Sequence, residues 1–351
     1  MHINRLFAGA VTALGVLALT ACSTGPDLAG SAKADSPSGT VTIGYFPNVT
    51  HAPAIVGLAG GEYRRALGSK VTIKTATFNS GTEEVEALFA GSIDIGFSGP
   101  SFTVTAWQKS GGAALKVIAG AAADGVDLVV RAGIHSPADL KGKTIATPSL
   151  GNTQDVAARY WLKQQGFATD AQGGGDVHIE PQDNASALTA LQTGAIDGAW
   201  VPEPWATRMV DKAGAHVLVD EADLWPGKLF VTTNVVVRTG FLKQHPQQVE
   251  DFLKGLLATL DAMKKDPNAA QQTVAAQIGA ISGSTPKPSE LASSWKNVVF
   301  TADPLAGTLA TQAQHATALG LLPKTDLTGL YDLAPLNALL TARGDRPVAG
   351  R

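Results

Sequence analysis

The sequence predicts an α/β protein of two similarly built lobes, and three observations carry that prediction. Apolar runs of strand length alternate with helix signals, one helix-to-strand joint recurs about a hundred residues on, and two extended segments flank the second copy. At 351 residues the chain is long enough for two domains that each bury a core without staples.

Val41 to Phe46 reads as a buried strand, and the turn-rich Pro47 to Pro53 loop then feeds a helix through Ala54 to Ala59. Val71 to Thr77 is a second strand. Asn79-Ser80-Gly81 caps a helix whose first turn carries Glu83 and Glu84, favourable at the positive end of the dipole, and Gly91 stops it. Ile93 to Phe97 is a third strand, opening onto Ser98-Gly99-Pro100-Ser101 and another helix. Farther on, Val249, Phe252, Leu253, Leu256, Leu257, Leu260 and Met263 fall on one helical stripe between Pro246 and Asp266-Pro267, the pattern of core packing.

The internal echo is specific. The stretch from Ala87 to Phe97, with Gly91 and Asp94, returns as Ala190 to Trp200, with Gly194 and Asp197, displaced by 103 residues. Val41-Thr42-Ile43 before the Pro47 loop likewise matches Lys143-Thr144-Ile145 before the loop Pro148 to Thr153. Two lobes on one plan follow, with residues 40–126 and 236–351 in the first and 127–235 in the second. Asp127 to Val130 and Leu229 to Val237 are the expected crossing strands, and hence the hinge.

At the N-terminus, Arg5 precedes apolar residues from Leu6 to Leu19, and Leu19-Thr20-Ala21-Cys22 follows. This pattern reads as a secretory signal over 1–22, and the small residues before a cysteine resemble a bacterial lipobox, with Cys22 the lipidation site. About fourteen apolar residues are too few to span a ~30 Å hydrocarbon core as a helix. Residues 23–39, rich in Ser, Gly, Ala, Pro and Asp, read as a flexible tether.

Several function classes are disfavoured. A net charge of -3 with no basic block argues against nucleic acid. Cys22 is the only cysteine, so no internal disulfide forms and no thiol remains for catalysis. The seven histidines form no HExxH or clustered spacing, and Gly142-Lys143-Thr144 has Pro137 where a phosphate loop needs its first glycine. No metal and no cofactor are expected, and the protein is expected to be a monomer that is not an enzyme.

What remains is a set of helix starts after strand ends: the Pro47 loop, Ser98 to Ser101, Gly151 to Gln154, and Pro202-Glu203-Pro204-Trp205. Ligands of open α/β sheets bind at the carboxyl ends of strands, where unpaired N–H groups attract anions. Ordinary capping gives the same residue types, so each single start is equally well read as a cap. Ser101 and Thr153 are the pair best suited to a ligand, each with a hydroxyl beside a helix start.

Taken together, Gly44 to Ala52, Ala90 to Pro100, Ser136 to Ala146, Val201 to Ala206 and Leu330 to Asn337 make the chain resemble the aliphatic-sulfonate, taurine, nitrate and bicarbonate binding-protein family. The resemblance implies a type II periplasmic-binding-protein fold, two α/β lobes with a ligand cleft between them and two crossing strands as hinge. It implies a small-molecule ligand, an ABC permease with a cytosolic ATPase as partner, and an extracytoplasmic place, held to the membrane through lipid on Cys22. Carried over by position, the cleft would comprise Asn48, Thr50 and His51, then Gly99, Pro100 and Ser101, then Asn152, Thr153, Glu203 and Trp205, with Thr233 and Asn234 beside the return strand.

The expected solute is small and anionic or zwitterionic. No Arg or Lys sits inside the four loops, Lys228 is the nearest cation, and Glu203 would favour a zwitterion if it faced the cleft. A related pyrimidine-precursor group shares the Pro-Asn-x-x-His loop, and Tyr45, Phe46, Trp200 and Trp205 could stack a ring. Its enzymatic members carry a cysteine cluster that this chain lacks.

Overall fold

The computed structural model of the protein describes residues 39–350. Cys22, the signal segment 1–22 and nearly all of the tether therefore lie outside the described residues. Among the described residues no helix is long and apolar enough to cross a membrane.

The strands are β1 (Thr40–Tyr45), β2 (Thr72–Thr77), β3 (Ile95–Ser98), β4 (Leu115–Asp124), β5 (Val126–Val130), β6 (Thr144–Thr147), β7 (His178–Pro181), β8 (Gly198–Pro202), β9 (His216–Asp220), β10 (Val231–Arg238) and β11 (Val298–Phe300). They form two mixed sheets, ordered β11-β4-β10-β3-β1-β2 and β7-β6-β8-β5-β9. Read from opposite ends, β4-β10-β3-β1-β2 and β9-β5-β8-β6-β7 are one plan. In each, three parallel strands adjoin a single antiparallel strand, β10 in the first sheet and β5 in the second.

The recurring sequence is the recurring clamp of this plan. Asp94 accepts from the Thr42 N–H at 2.9 Å and pairs with Arg238 at 3.1 Å, at the end of β10. Asp197 accepts from the Thr144 N–H at 2.9 Å and pairs with Arg131 at 2.5 Å, just beyond β5. The same aspartate thus ties the helix-to-strand joint to its parallel and its antiparallel neighbour in both sheets.

Each sheet is covered on both faces. On the first, Ile43, Ile95, Phe97 and Val235 pack with Phe252, Leu253 and Leu256 of the helix Pro246–Lys265, the stripe read from the sequence. The other face packs Ile93, Val104, Trp107 and Val236 with Leu309 of the helix Ala306–Ala318.

The chain leaves the first sheet at Gly125, between β4 and β5, where φ is +72° and an added Cβ would lie 2.4 Å from Val298. Only glycine serves there. It returns between Lys228 and Val231. The lobe limit drawn at 235/236 falls inside β10, all eight residues of which belong to the first sheet. Extended character marks a strand in a sequence, but not which sheet it pairs with.

Candidate ligand cleft

Between the two sheets lies a cavity of about 70 Å³, and its lining follows from topology. Phe46, Asn48, Thr50 and His51 come after β1, Asn79, Ser80 and Gly81 after β2, and Gly99 after β3. From the second sheet, Pro148 to Gln154 follow β6, Asn184 follows β7, and Pro202 ends β8. Every one of these segments sits at the carboxyl end of a parallel strand, the end where open α/β sheets expose helix N-termini.

Local chemistry fixes these loops. Ser80 caps the helix Gly81–Phe89 by accepting from the Glu83 N–H at 3.4 Å, and Asn152 caps the helix Thr153–Gln164 by accepting from the Asp155 N–H at 2.7 Å. Asp155, fully buried, holds the Pro148 loop: it accepts from the Gly151 N–H and the Thr147 hydroxyl and pairs with buried Arg159 at 2.9 Å. A buried carboxylate so satisfied is a scaffold, not a ligand group.

Among the described residues the lining carries no lysine, arginine, aspartate or glutamate. Burial lowers the His51 pKa to about 3, so its ring is neutral. Its Nδ1 accepts from the Phe46 N–H at 3.4 Å, which leaves the proton on Nε2 as a donor. The cleft therefore offers hydroxyls, carboxamides, an imidazole N–H and helix-start amides: neutral donors at positive dipole ends, suited to small oxyanions or zwitterions. Among the described residues no cluster of three or more His, Cys, Asp or Glu is placed to hold a metal ion.

Of the residues expected from the sequence, Asn48, Thr50, His51, Gly99, Asn152 and Thr153 line this cavity. Pro100 and Ser101 do not. The Ser101 N–H instead donates to the Thr153 hydroxyl at 3.4 Å, and its own buried hydroxyl has no partner among the described residues. Trp205 reaches the cleft only through its neighbour, donating its indole N–H to Asn48 at 3.1 Å.

Glu203 turns away. It is fully buried, and its carboxylate accepts from the Thr207 N–H and hydroxyl and from the Asn297 amide at 2.7 Å. Its carbonyl accepts from the Val49 N–H at 3.1 Å, so it fastens the halves together rather than meeting a solute. Thr233 and Asn234 are buried inside the first sheet, and Thr232 lines the cleft in their place. Lys228 is exposed and pairs with Asp223 at 2.6 Å, away from the cavity. Of the four rings expected to stack a pyrimidine, only Phe46 lines the cleft; Trp200 is buried and donates to Glu221 at 2.7 Å.

The sequence reading named Gln154 only within a helix start and passed over Asn79, Ser80, Ser149, Asn184 and Thr232 as site residues. The echo held the signal for one of them, because displacement by 103 carries Gly81, the start of one lining helix, onto Asn184, the start of its counterpart.

A family model described as NMT1-like matches residues 34–279. The taurine-binding periplasmic protein of Escherichia coli (strain K12) is 30% identical over 217 residues, which cover 62% of this chain and 64% of that relative. Among solved structures, the alkanesulfonate-binding protein SsuA from Xanthomonas axonopodis pv. citri, bound to MOPS, superposes with a TM-score of 0.68 at 20% identity, covering 83% of this chain and 96% of that one. The periplasmic nitrate-binding protein NrtA from Synechocystis PCC 6803 gives 0.71 at 14%, covering 88% and 90%. These superpositions show a shared periplasmic-binding-protein fold.

Proposed function

The chain belongs to the NMT1-like family, and from that premise we propose that it is the solute-binding component of an ABC importer. It captures a small anionic or zwitterionic solute, taurine- or sulfonate-like, and hands it unchanged to a permease with a cytosolic ATPase. The observation that carries this reading is the cleft itself. Helix starts from both sheets converge on it with neutral donors and, among the described residues, no acid to repel an oxyanion. The names of the similar proteins support the solute class.

In this reading the two sheets and their helices are lobes that close over the solute, hinged at Gly125 and between Lys228 and Val231. Cys22 carries a lipid that holds the protein, as a monomer, on the outer face of the cell membrane, with residues 23–39 as tether. Calorimetry of the purified protein against taurine, alkanesulfonates, sulfate, nitrate and bicarbonate tests the cleft. One solute should bind with one-to-one stoichiometry and be recovered unchanged by mass spectrometry, and chemical turnover would overturn the reading. Cys22→Ala should abolish lipid attachment and leave solute affinity unaltered.

A further inference from the structure

A second cavity, of about 230 Å³, lies between the helix Thr153–Gln164, the turn Glu221–Leu224 with Trp225, and the helix Ala306–Ala318. It shares no lining residue with the cleft. On the cleft's own measure it is more than three times larger, room for far more than the single water that ~10–15 Å³ admits.

Its walls are flat rings. Tyr160 and His315 stack with centroids 3.6 Å apart and planes within 9°, and Trp225 lies 5.7 Å from His315. Each ring is backed or tied. Trp225 stacks on Phe230 at 5.4 Å and donates its indole N–H to Glu221 at 3.3 Å, and Trp161 leans on buried Trp200 at 5.7 Å. Rings held this way lose little freedom when a ligand arrives, which favours binding.

Charge narrows the occupant. Among the described residues no lysine or arginine lines the cavity, and the one carboxyl, Glu221, already accepts from the indoles of Trp200 and Trp225. Burial holds that carboxyl's pKa up at about 8. An anion would meet no cation here, whereas a planar ring would extend the existing stack with offset or edge contacts. The amides of Gln164 and Gln165 supply hydrogen bonds for a ring heteroatom.

We propose that this cavity is a second ligand site, for a small, planar, uncharged heteroaromatic molecule, independent of the solute in the cleft. Tyr160 comes from a helix that begins at the cleft and His315 from a helix packed on the first sheet, so both halves of the molecule touch the occupant.

The probe is 5-fluoroindole, followed by fluorine NMR and calorimetry with the purified protein. Saturable one-to-one binding is expected. Ala157→Phe, which fills the cavity from its helical wall, should weaken binding at least tenfold. Leu224→Glu, a change at a residue 45% exposed and on the rim, should weaken it several-fold even if the first variant folds poorly. Ser149→Trp, which obstructs the cleft, should leave it unaltered. Absence of saturable binding, binding lost in Ser149→Trp, or binding unchanged in both cavity variants would each overturn the proposal. None of these readouts depends on which solute the cleft takes.

Discussion

Ser101 and Thr153 touch across the two halves, the Ser101 N–H donating to the Thr153 hydroxyl, yet only the threonine reaches the cleft. The two substitutions to alanine should therefore diverge. Thr153→Ala removes a cleft hydroxyl and should cost about 1.5–3 kcal/mol in solute affinity, roughly ten- to a hundredfold. Ser101→Ala deletes a buried hydroxyl without a partner among the described residues and should leave affinity and melting temperature nearly unchanged. Equal losses from both, measured by calorimetry, would mean that the helix starts act only through their packing.

His51 gives a pH prediction at the same scale. Its pKa in the fold is held down to about 3 by burial, below the 6.5 of an exposed histidine. The unfolded chain thus binds the extra proton, so this stability is present above pH 6.5 and lost as pH falls from 6.5 toward 3. In denaturant titrations, His51→Asn should flatten the acid-side decline, and solute affinity should stay level from about pH 7 to 9.

Individual residues were unevenly legible. Helix-start chemistry is local, so Asn152 and Thr153 could be read from their own neighbours. Strand register is not local: side chains alternate faces, and a one-residue difference separates cleft-lining Thr232 from buried Thr233. Glu203 was equally ambiguous, since its partner Asn297 lies 94 residues away.

At the scale of elements the echo gains a physical meaning. Repetition of Gly-x-Ile-Asp was legible, but the reason for it was not, because the partners Arg238, at the end of β10, and Arg131, just beyond β5, are brought alongside only by the fold. Asp94 is fully buried, whereas the Asp197 side chain is 13% exposed, so the same clamp has different worth in the two sheets. Asp94→Ala leaves the Thr42 N–H and the Arg238 guanidinium without this acceptor and should cost about 3–5 kcal/mol. Asp197→Ala, where water helps, should cost less, about 1–3 kcal/mol. Chemical denaturation compares them, and an equal cost would show that the two joints are packed alike.

Over the whole molecule the crossing between sheets is where acids accumulate. Asp127, second residue of β5, stands directly opposite Asp220 of β9 and is 6% exposed. Burial first, and then the charges of Glu203, Asp220 and Glu221, push its pKa up to about 8. Asp124, which accepts from the Phe230 N–H at 3.1 Å, is raised to about 6, mainly by burial. Sequence reading found these crossing strands as extended segments, but the crowding of carboxylates became visible only when β9 was laid beside β5.

The sign follows from linkage. A carboxyl whose folded pKa is raised keeps its proton in the fold while the unfolded chain releases it near 3.8, so its stabilisation is complete below that value and declines as pH rises toward 8. The Asp127→Asn substitution keeps the shape of the neutral acid and removes the titrating proton. Relative to wild type, the variant should gain stability as pH rises from about 4 to 8, by no more than roughly 1.4 kcal/mol per unit, and then hold a constant margin. Melting temperatures at about pH 5, 7 and 9 measure it, at about 2–4 °C per kcal/mol. A margin that does not change with pH would mean that Asp127 is already ionised in the fold, with the crossing wet enough to tolerate its charge beside Asp220.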